Sequence, residues 1–150
     1  MPQWRHWTED EGSASLEFIT AGMILLLPLV YLVLVMAALQ GGSLAVEGAA
    51  RQAVRVFVQA NTVGEGEAMA ERAIQFGLKD YGLDAADATV AISCMPQPDD
   101  CLHRLGSVTV RVSVSVRLPL APPAITVNLP LTVPIEAEAT EQVSRFWSGS

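Results

Sequence analysis

The sequence predicts an α+β protein built from a long N-terminal membrane helix, a second amphipathic helix and a small antiparallel β-sheet. Three patterns in its 150 residues lead to this fold class. Residues 18–46 contain no charged side chain, residues 67–81 repeat apolar side chains at helical intervals, and residues 108–118 alternate apolar with polar side chains. The length leaves room for one modest domain besides the membrane helix.

The membrane helix is the clearest of these elements. Residues 18–39 are almost entirely apolar, and a helix of about 20 residues crosses a hydrocarbon core of about 30 Å. A cleaved secretory signal has a shorter apolar stretch, of about 7–15 residues, so that interpretation is disfavoured. Pro28 lies inside the run and predicts a mild kink, because proline removes one backbone donor.

A short polar segment, residues 1–12, precedes this helix. It ends at Gly12, and the chain then runs from Ser13 through Glu17 directly into the apolar stretch. This arrangement resembles the class III leaders of type IV pilins, in which a membrane peptidase cuts after glycine and the fifth residue of the mature chain is glutamate. The resemblance implies leader cleavage between Gly12 and Ser13, with Glu17 as that glutamate.

Two further features narrow the resemblance. Glu17 is followed by the aromatic Phe18, and residues 48–55, which contain alanines and arginines, follow the apolar run. Both features are similar to the TadE-like proteins of tight-adherence pilus systems (Tad or Flp, type IVb). The resemblance therefore implies a minor pilin or pseudopilin with a type IV pilin-like fold, whose role in surface attachment is structural.

The same resemblance implies partners and a location. The expected partners are a prepilin peptidase, the major Flp-type pilin, other minor pilins and membrane lipid. The protein is expected to cross the bacterial cytoplasmic (inner) membrane once with its C-terminal domain on the extracytoplasmic side, and incorporation into a pilus is a further expectation. The alternative is an unprocessed single-pass sensor or scaffold protein of the cell envelope, whose outer domain binds another partner.

Glu17 stands at the edge of the predicted membrane helix. A charged side chain in hydrocarbon costs about 2.5 kcal/mol or more near the centre of a bilayer and less near an end, so the carboxylate needs a partner. Cleavage after Gly12 would free the Ser13 amine to be that partner, in the same chain or on a neighbouring subunit. A second interpretation is that Glu17 is an interfacial residue at the start of an anchor, where a helix N-terminus also favours negative charge.

The basic residues near the helix do not favour a cytoplasmic N-terminus. Arg5 precedes the span, whereas Arg51 and Arg55 follow it, and the positive-inside rule counts these residues. The leader resemblance places the N-terminus inside the cell. The two indications therefore disagree at the level of sequence.

Composition divides the chain into three parts. These are residues 1–12, which the resemblance makes a leader, a transmembrane and extended N-terminal helix at residues 13–60, and an α+β domain at residues 61–150, which the resemblance places on the extracytoplasmic side. Residues 40–43 contain paired glycines, which destabilise a helix by roughly 1 kcal/mol each. A hinge is predicted there.

The outer domain is predicted to contain one more helix. Residues 61–66 are expected to break the first helix, and residues 67–81 form the second, which Gly82 ends. The apolar stripe of this helix needs a covering layer. The remainder of the chain supplies sheet.

Three segments are expected to be strands. Residues 89–93 form a short strand, residues 108–118 form a strand with one buried face, and residues 125–138 repeat the alternation. Pro130 and Pro134 fall on the outward positions of the last strand. Because proline cannot donate to the ladder, this strand is predicted to lie at a sheet edge or to contain a bulge.

Cys94 and Cys101 enclose a turn-rich loop between two predicted strands. In an extracytoplasmic domain these cysteines are expected to form a disulfide, which would contribute roughly 2–3 kcal/mol on the chain-entropy model. A metal site would have to add His103 and Asp99, but this spacing matches no recognisable zinc pattern. No metal is predicted.

Several function classes are disfavoured by the sequence. A net charge of −7 repels phosphate backbones, so nucleic acid is not an expected partner. Catalysis would need a nucleophile with a base or a glycine-rich phosphate loop, and neither is recognisable; His6 lies in the leader, and His103 is the only other histidine. An enzyme is therefore the least favoured hypothesis, and no cofactor or small-molecule substrate is expected.

Overall fold

The computed structural model describes residues 13–119 and 132–148. It confirms the coarse prediction of a long N-terminal apolar helix, a second helix and a small antiparallel sheet. The elements are helix α1 (Ser13–Phe57), helix α2 (Val63–Lys79), a short 3-10 helix (Ala85–Asp87), and strands β1 (Ala88–Met95), β2 (Ser107–Arg117) and β3 (Thr132–Gln142).

Helix α1 is 45 residues long and includes Pro28. It is long enough and apolar enough to cross a membrane. The chain divides into two compact units, residues 1–36 and 37–150. Within the first unit, residues 15–34 of the helix are exposed. Residues 37–57 belong by packing to the second unit, where they form the centre of its core.

Helix α1 continues without a break through residues 40–43, where the sequence predicts a hinge. The packing around residue 42 explains why this position is a glycine. A Cβ atom added to Gly42 would lie 2.6 Å from the Cγ2 atom of Val116 and 3.0 Å from the Cδ1 atom of Ile135. Glycine therefore lets the helix approach the sheet closely, and burial of apolar area on both sides offsets its low helix propensity.

Helix α2 begins at Val63, four residues before the predicted start. The Thr62 side chain caps it by accepting a hydrogen bond from the Glu65 backbone N–H at 3.2 Å, and the Glu65 carboxylate accepts from the Asn61 backbone N–H at 3.0 Å. These two hydrogen bonds stabilise the first turn although Gly64 lies within it. The capping residues thus outweigh the glycine content that suggested a loop.

The end of α2 agrees with the predicted stop at Gly82. This glycine has a φ of 71°, and its N–H donates to the carbonyl of Lys79 at 2.9 Å. The Leu83 N–H donates to the carbonyl of Leu78 at 3.0 Å. Together these bonds form a Schellman motif, in which a left-handed residue, usually glycine, satisfies the last carbonyls of a helix.

The described strands form one antiparallel sheet in the order β1-β2-β3. The alternation in β2 is confirmed, because its inward valines are buried at the centre of the sheet while the residues between them are not. Pro134 lies in β3, which is an edge strand as predicted. Residues 125–131 of the predicted strand lie outside the described residues. The buried inward side chains of β2 are Val108, Val110, Val112, Val114 and Val116.

The core of the second unit lies where the C-terminal half of α1 meets both α2 and the sheet. Small residues make this contact close: a Cβ atom on Gly77 of α2 would lie 3.2 Å from the Cβ atom of Ala49 on α1. Near the end of α1, the Phe57 ring covers Gly66 at 3.1 Å from where its Cβ would be. Phe57 is fully buried, which fixes the helix pair at that end.

Candidate functional site: the exposed amino-terminal helix and the disulfide loop

The predicted cleavage junction lies at the start of the described chain. Gly12 and the rest of the predicted leader, residues 1–12, lie outside the described residues. Ser13 is the first residue of α1. The structure therefore brings the predicted new N-terminus to the N-terminal end of a helix, where the backbone N–H groups of the first turn lack intrahelical partners.

Glu17 lies four residues after Ser13 on α1, and its side chain is exposed. It shares a shallow groove with Leu16, Thr20 and Ile24. Glu17 forms no ion pair with any side chain in residues 13–119 or 132–148. A carboxylate in this position is available for a cation that the described chain does not supply.

The surface around Glu17 is apolar. Phe18 is 80% exposed, and large aliphatic side chains remain exposed along the same part of α1 as far as Met36. A continuous apolar surface of this extent is typical of a segment that contacts lipid or other proteins. Gly22 has no other atom near its Cβ position, so a neighbouring helix could approach the backbone there.

Cys94 and Cys101 are at disulfide-bonding distance, with Cα atoms 5.1 Å apart. Cys94 is buried near the end of β1, so the covalent link would tie the loop to the core. The Nδ1 atom of His103 lies 2.6 Å from the carbonyl oxygen of Asp100. No group of three or more His, Cys, Asp or Glu side chains within the described parts of the chain is arranged to hold a metal ion.

The outward face of the sheet carries a charge cluster that sequence reasoning missed. The Arg111 guanidinium contacts the carboxylate of Glu138 at 2.7 Å and that of Glu136 at 3.1 Å. The hydrogen bond with Glu138, followed by the charge of Glu136, raises the pKa of Arg111 above its ordinary value. All three side chains are more than half exposed, so the cluster contributes little to stability. The sequence feature that could have indicated this cluster is the outward position of all three residues on two predicted strands.

A second contact had no signal in the sequence. The Trp147 indole Nε1 donates a hydrogen bond of 2.9 Å to the carbonyl oxygen of Ala60, across 87 positions of the chain. It holds the C-terminal segment against the end of α1. No periodicity or motif predicts a contact of that range.

The features that could carry function fall into two groups, the exposed apolar stretch of α1 that begins at Glu17 and the surfaces of the second unit. The first resembles a membrane or assembly helix by composition and exposure. No protein-family model, curated protein or solved structure matches the chain. The functional proposal therefore rests on the pilin resemblance of the N-terminal segment together with the geometry of this chain.

Proposed function

We propose that the protein is a TadE-like minor pilin or pseudopilin of a tight-adherence pilus, with a type IV pilin-like fold and a structural role. The observation that carries the proposal is one carboxylate, Glu17, four residues after Ser13 and at the start of the charge-free and exposed stretch of α1. The layout of long apolar helix, second helix and antiparallel sheet supports it. Its partners would be a prepilin peptidase, the major Flp-type pilin and other minor pilins.

The proposed mechanism begins with peptide-bond hydrolysis between Gly12 and Ser13. Hydrolysis gives a carboxylate on Gly12 and a new amine on Ser13, which is protonated at neutral pH because an α-amino group has a pKa of about 7.7–8.0. That ammonium group and the Glu17 carboxylate attract each other strongly in a medium of low dielectric constant. Pairing would neutralise both charges as the helix packs against helices of neighbouring subunits.

Helix packing in this proposal depends on shape. Between apolar helices in lipid, association is driven by van der Waals contact and by small residues that permit close approach. Ala21 and Gly22 are adjacent small residues within the exposed helix, and the Cβ position of Gly22 is open. This part of α1 is the proposed site of contact with the major pilin.

The proposed location is the bacterial cytoplasmic membrane, with residues 61–150 on the extracytoplasmic side. The placement of Cys94 and Cys101 at disulfide-bonding distance supports an oxidising compartment for this domain. Membrane lipid would surround the apolar part of α1 before assembly.

Leader processing tests the proposal. In a host that carries a prepilin peptidase, Gly12→Val is expected to leave residues 1–12 attached, while the wild-type chain loses them. Gly48→Val is the matched control, because Gly48 is exposed and has no neighbour within 4 Å of its Cβ position. If the wild-type chain and both variants migrate identically with the leader retained, the proposal is refuted.

A second candidate function is an unprocessed single-pass sensor or scaffold protein of the cell envelope. The apolar stretch of α1 fits a plain membrane anchor equally well. The basic residues favour an outer domain in neither function, because Arg51 and Arg55 follow the apolar span at residues 18–46 and Arg5 precedes it. Accessibility of an affinity tag placed after residue 148 in intact spheroplasts tests the orientation. An inaccessible tag would support a cytoplasmic C-terminal domain and oppose both the pilin proposal and an outer binding domain.

A further inference from the structure

The inner face of the sheet is incompletely covered at β1. Val90 faces inward opposite Val112, yet Val90 is 42% exposed whereas Val112 is fully buried. The uncovered face continues into a groove of about 320 Å³ between α2 and β1, whose floor is apolar. The apolar lining consists of Ala70, Ile74, Ala85, Ala88, Val90 and Ile92.

The rim of this groove is acidic. Glu67 and Glu71 line it from α2, and both are exposed. Neither carboxylate forms an ion pair with a side chain in the described parts of the chain. An apolar floor with an acidic rim suits an apolar side chain that has a basic neighbour.

The chain itself displays such a side chain near its C-terminal end. Phe146 is 82% exposed, and the Arg145 guanidinium lies 5.7 Å from the centre of its ring. Arg145 is likewise without an ion-pair partner among the residues that the structure describes. We call Arg145 and Phe146 the aromatic knob.

The backbone holds the aromatic knob in place. The Phe146 N–H donates to the Ser144 Oγ at 3.1 Å, and the Trp147 N–H donates to the Ser144 carbonyl at 3.1 Å. On the far side, the Arg104 Nε–H donates to the Trp147 carbonyl at 2.9 Å. Because the exposed ring sits on an ordered turn, less conformational entropy would be lost when it binds.

We propose that the aromatic knob of one copy inserts into the α2–β1 groove of a second copy. A cavity of about 150 Å³ already accommodates a benzene ring, so the groove is large enough for the Phe146 side chain. Arg145 would then face Glu67 and Glu71 of the other copy. Because the knob and the groove share no residue, one copy can offer its knob to a second copy and its groove to a third, and the contact repeats along a filament where the rotation between copies does not close a ring.

As a contact inside a filament, this inference rests on the proposed function, which would hold copies at high local concentration. As a contact between two copies, it depends only on the second unit. The two claims can fail separately. The experiment therefore records both cross-linking and the state of the N-terminus in one preparation.

Site-specific photo-cross-linking of the full chain in its membrane tests the contact. With p-benzoylphenylalanine in place of Phe146, irradiation is expected to give an adduct of two copies, whose cross-linked peptide comes from α2 or β1. The same probe in place of Phe76, which is 70% exposed on α2 outside the groove, is the matched control and is expected to give no adduct with the groove. No adduct at Phe146, or one with a different protein or surface, would overturn the proposal.

Charge reversal gives a second measurement that does not depend on folding of the core, because all the altered side chains are exposed. Arg145→Glu is expected to lower the adduct yield about tenfold, and the double variant Glu67→Arg and Glu71→Arg is expected to do the same. A mixture of the two variants, each supplying one side of the contact, should restore the yield. Unchanged yield in the single-sided variants would overturn the proposal, whereas a retained leader in the cross-linked chain would refute only the pilin function.

Discussion

The Trp147 indole Nε1 donates a hydrogen bond of 2.9 Å to the carbonyl oxygen of Ala60, three residues after α1 ends. This contact joins the C-terminal segment to the end of the helix that forms the centre of the core. Ala60 is almost fully buried, so its carbonyl has few alternative partners. Removing the indole donor is therefore expected to leave a buried polar group unsatisfied.

Trp147→Phe tests this contact. The variant is expected to lower the free energy of unfolding by about 1–3 kcal/mol, since it removes the donor to a buried carbonyl and shrinks a packed side chain. Urea unfolding of the full chain in detergent, followed by circular dichroism, measures the change. Phe146→Leu is the matched control, because Phe146 is exposed and should change stability by no more than about 0.5 kcal/mol. Equal stabilities for the two variants would show that the Trp147 contact contributes nothing.

Gly42→Ala tests the close packing of α1 on the sheet. The added methyl group would overlap Val116, and the expected loss of stability is about 1–3 kcal/mol. Gly48→Ala on the same helix has open space around it and is expected to stabilise the chain by up to about 1 kcal/mol. If both substitutions stabilised the protein, Gly42 would not be a packing position.

The Cys94 and Cys101 pair is expected to be oxidised in protein isolated from its native compartment. Alkylation without reductant, followed by mass analysis, should then find neither thiol modified. The double variant Cys94→Ser and Cys101→Ser should unfold at lower urea concentration, with a loss of about 2–3 kcal/mol if chain entropy dominates. Two alkylated thiols in the unreduced protein would contradict the proposed oxidising location.

Glu17→Ala tests the proposed pairing with the Ser13 amine. The variant would leave the Ser13 ammonium group without its partner, and an unpaired charge is costly in the interior of a helix assembly. Incorporation into pili is therefore expected to fall at least about tenfold. Glu47→Ala is the control, since Glu47 is exposed on the second unit and, among the residues that the structure describes, pairs only with Arg51 at the surface. Quantitative immunoblotting of sheared pili and of membranes measures the distribution. If Glu17→Ala enters pili at the wild-type level, the proposed pairing with the Ser13 amine is wrong, and Glu17 is an interfacial residue at the start of the membrane helix.

The sequence predicted those features that depend on local periodicity. Three features follow from local patterns: the charge-free run of α1, the alternating valines of β2 and the stop of α2 at Gly82. Each pattern has one physical explanation, so the sequence alone predicts the feature. The predicted start of α2 is too late, because Gly64 and Gly66 indicate a loop whereas the cap formed by Thr62 and Glu65 stabilises a helix.

The remaining features depend on long-range packing, which periodicity does not encode. From the sequence alone, Gly42 is typical of a helix break. The fold shows that Val116 lies too close for any larger side chain at this position. The incomplete cover over Val90 could not be predicted either, because its alternation is the same as that of a buried residue. The aromatic knob and its groove are visible only once the fold shows which apolar side chains remain uncovered.

Leader cleavage is the central claim, and intact-mass measurement of the wild-type chain tests it most directly. The chain is to be extracted from the membranes of a host that carries a prepilin peptidase and measured without proteolysis. The predicted result is a mass that corresponds to a chain beginning at Ser13. A mass that includes residues 1–12 would contradict the proposed pilin function.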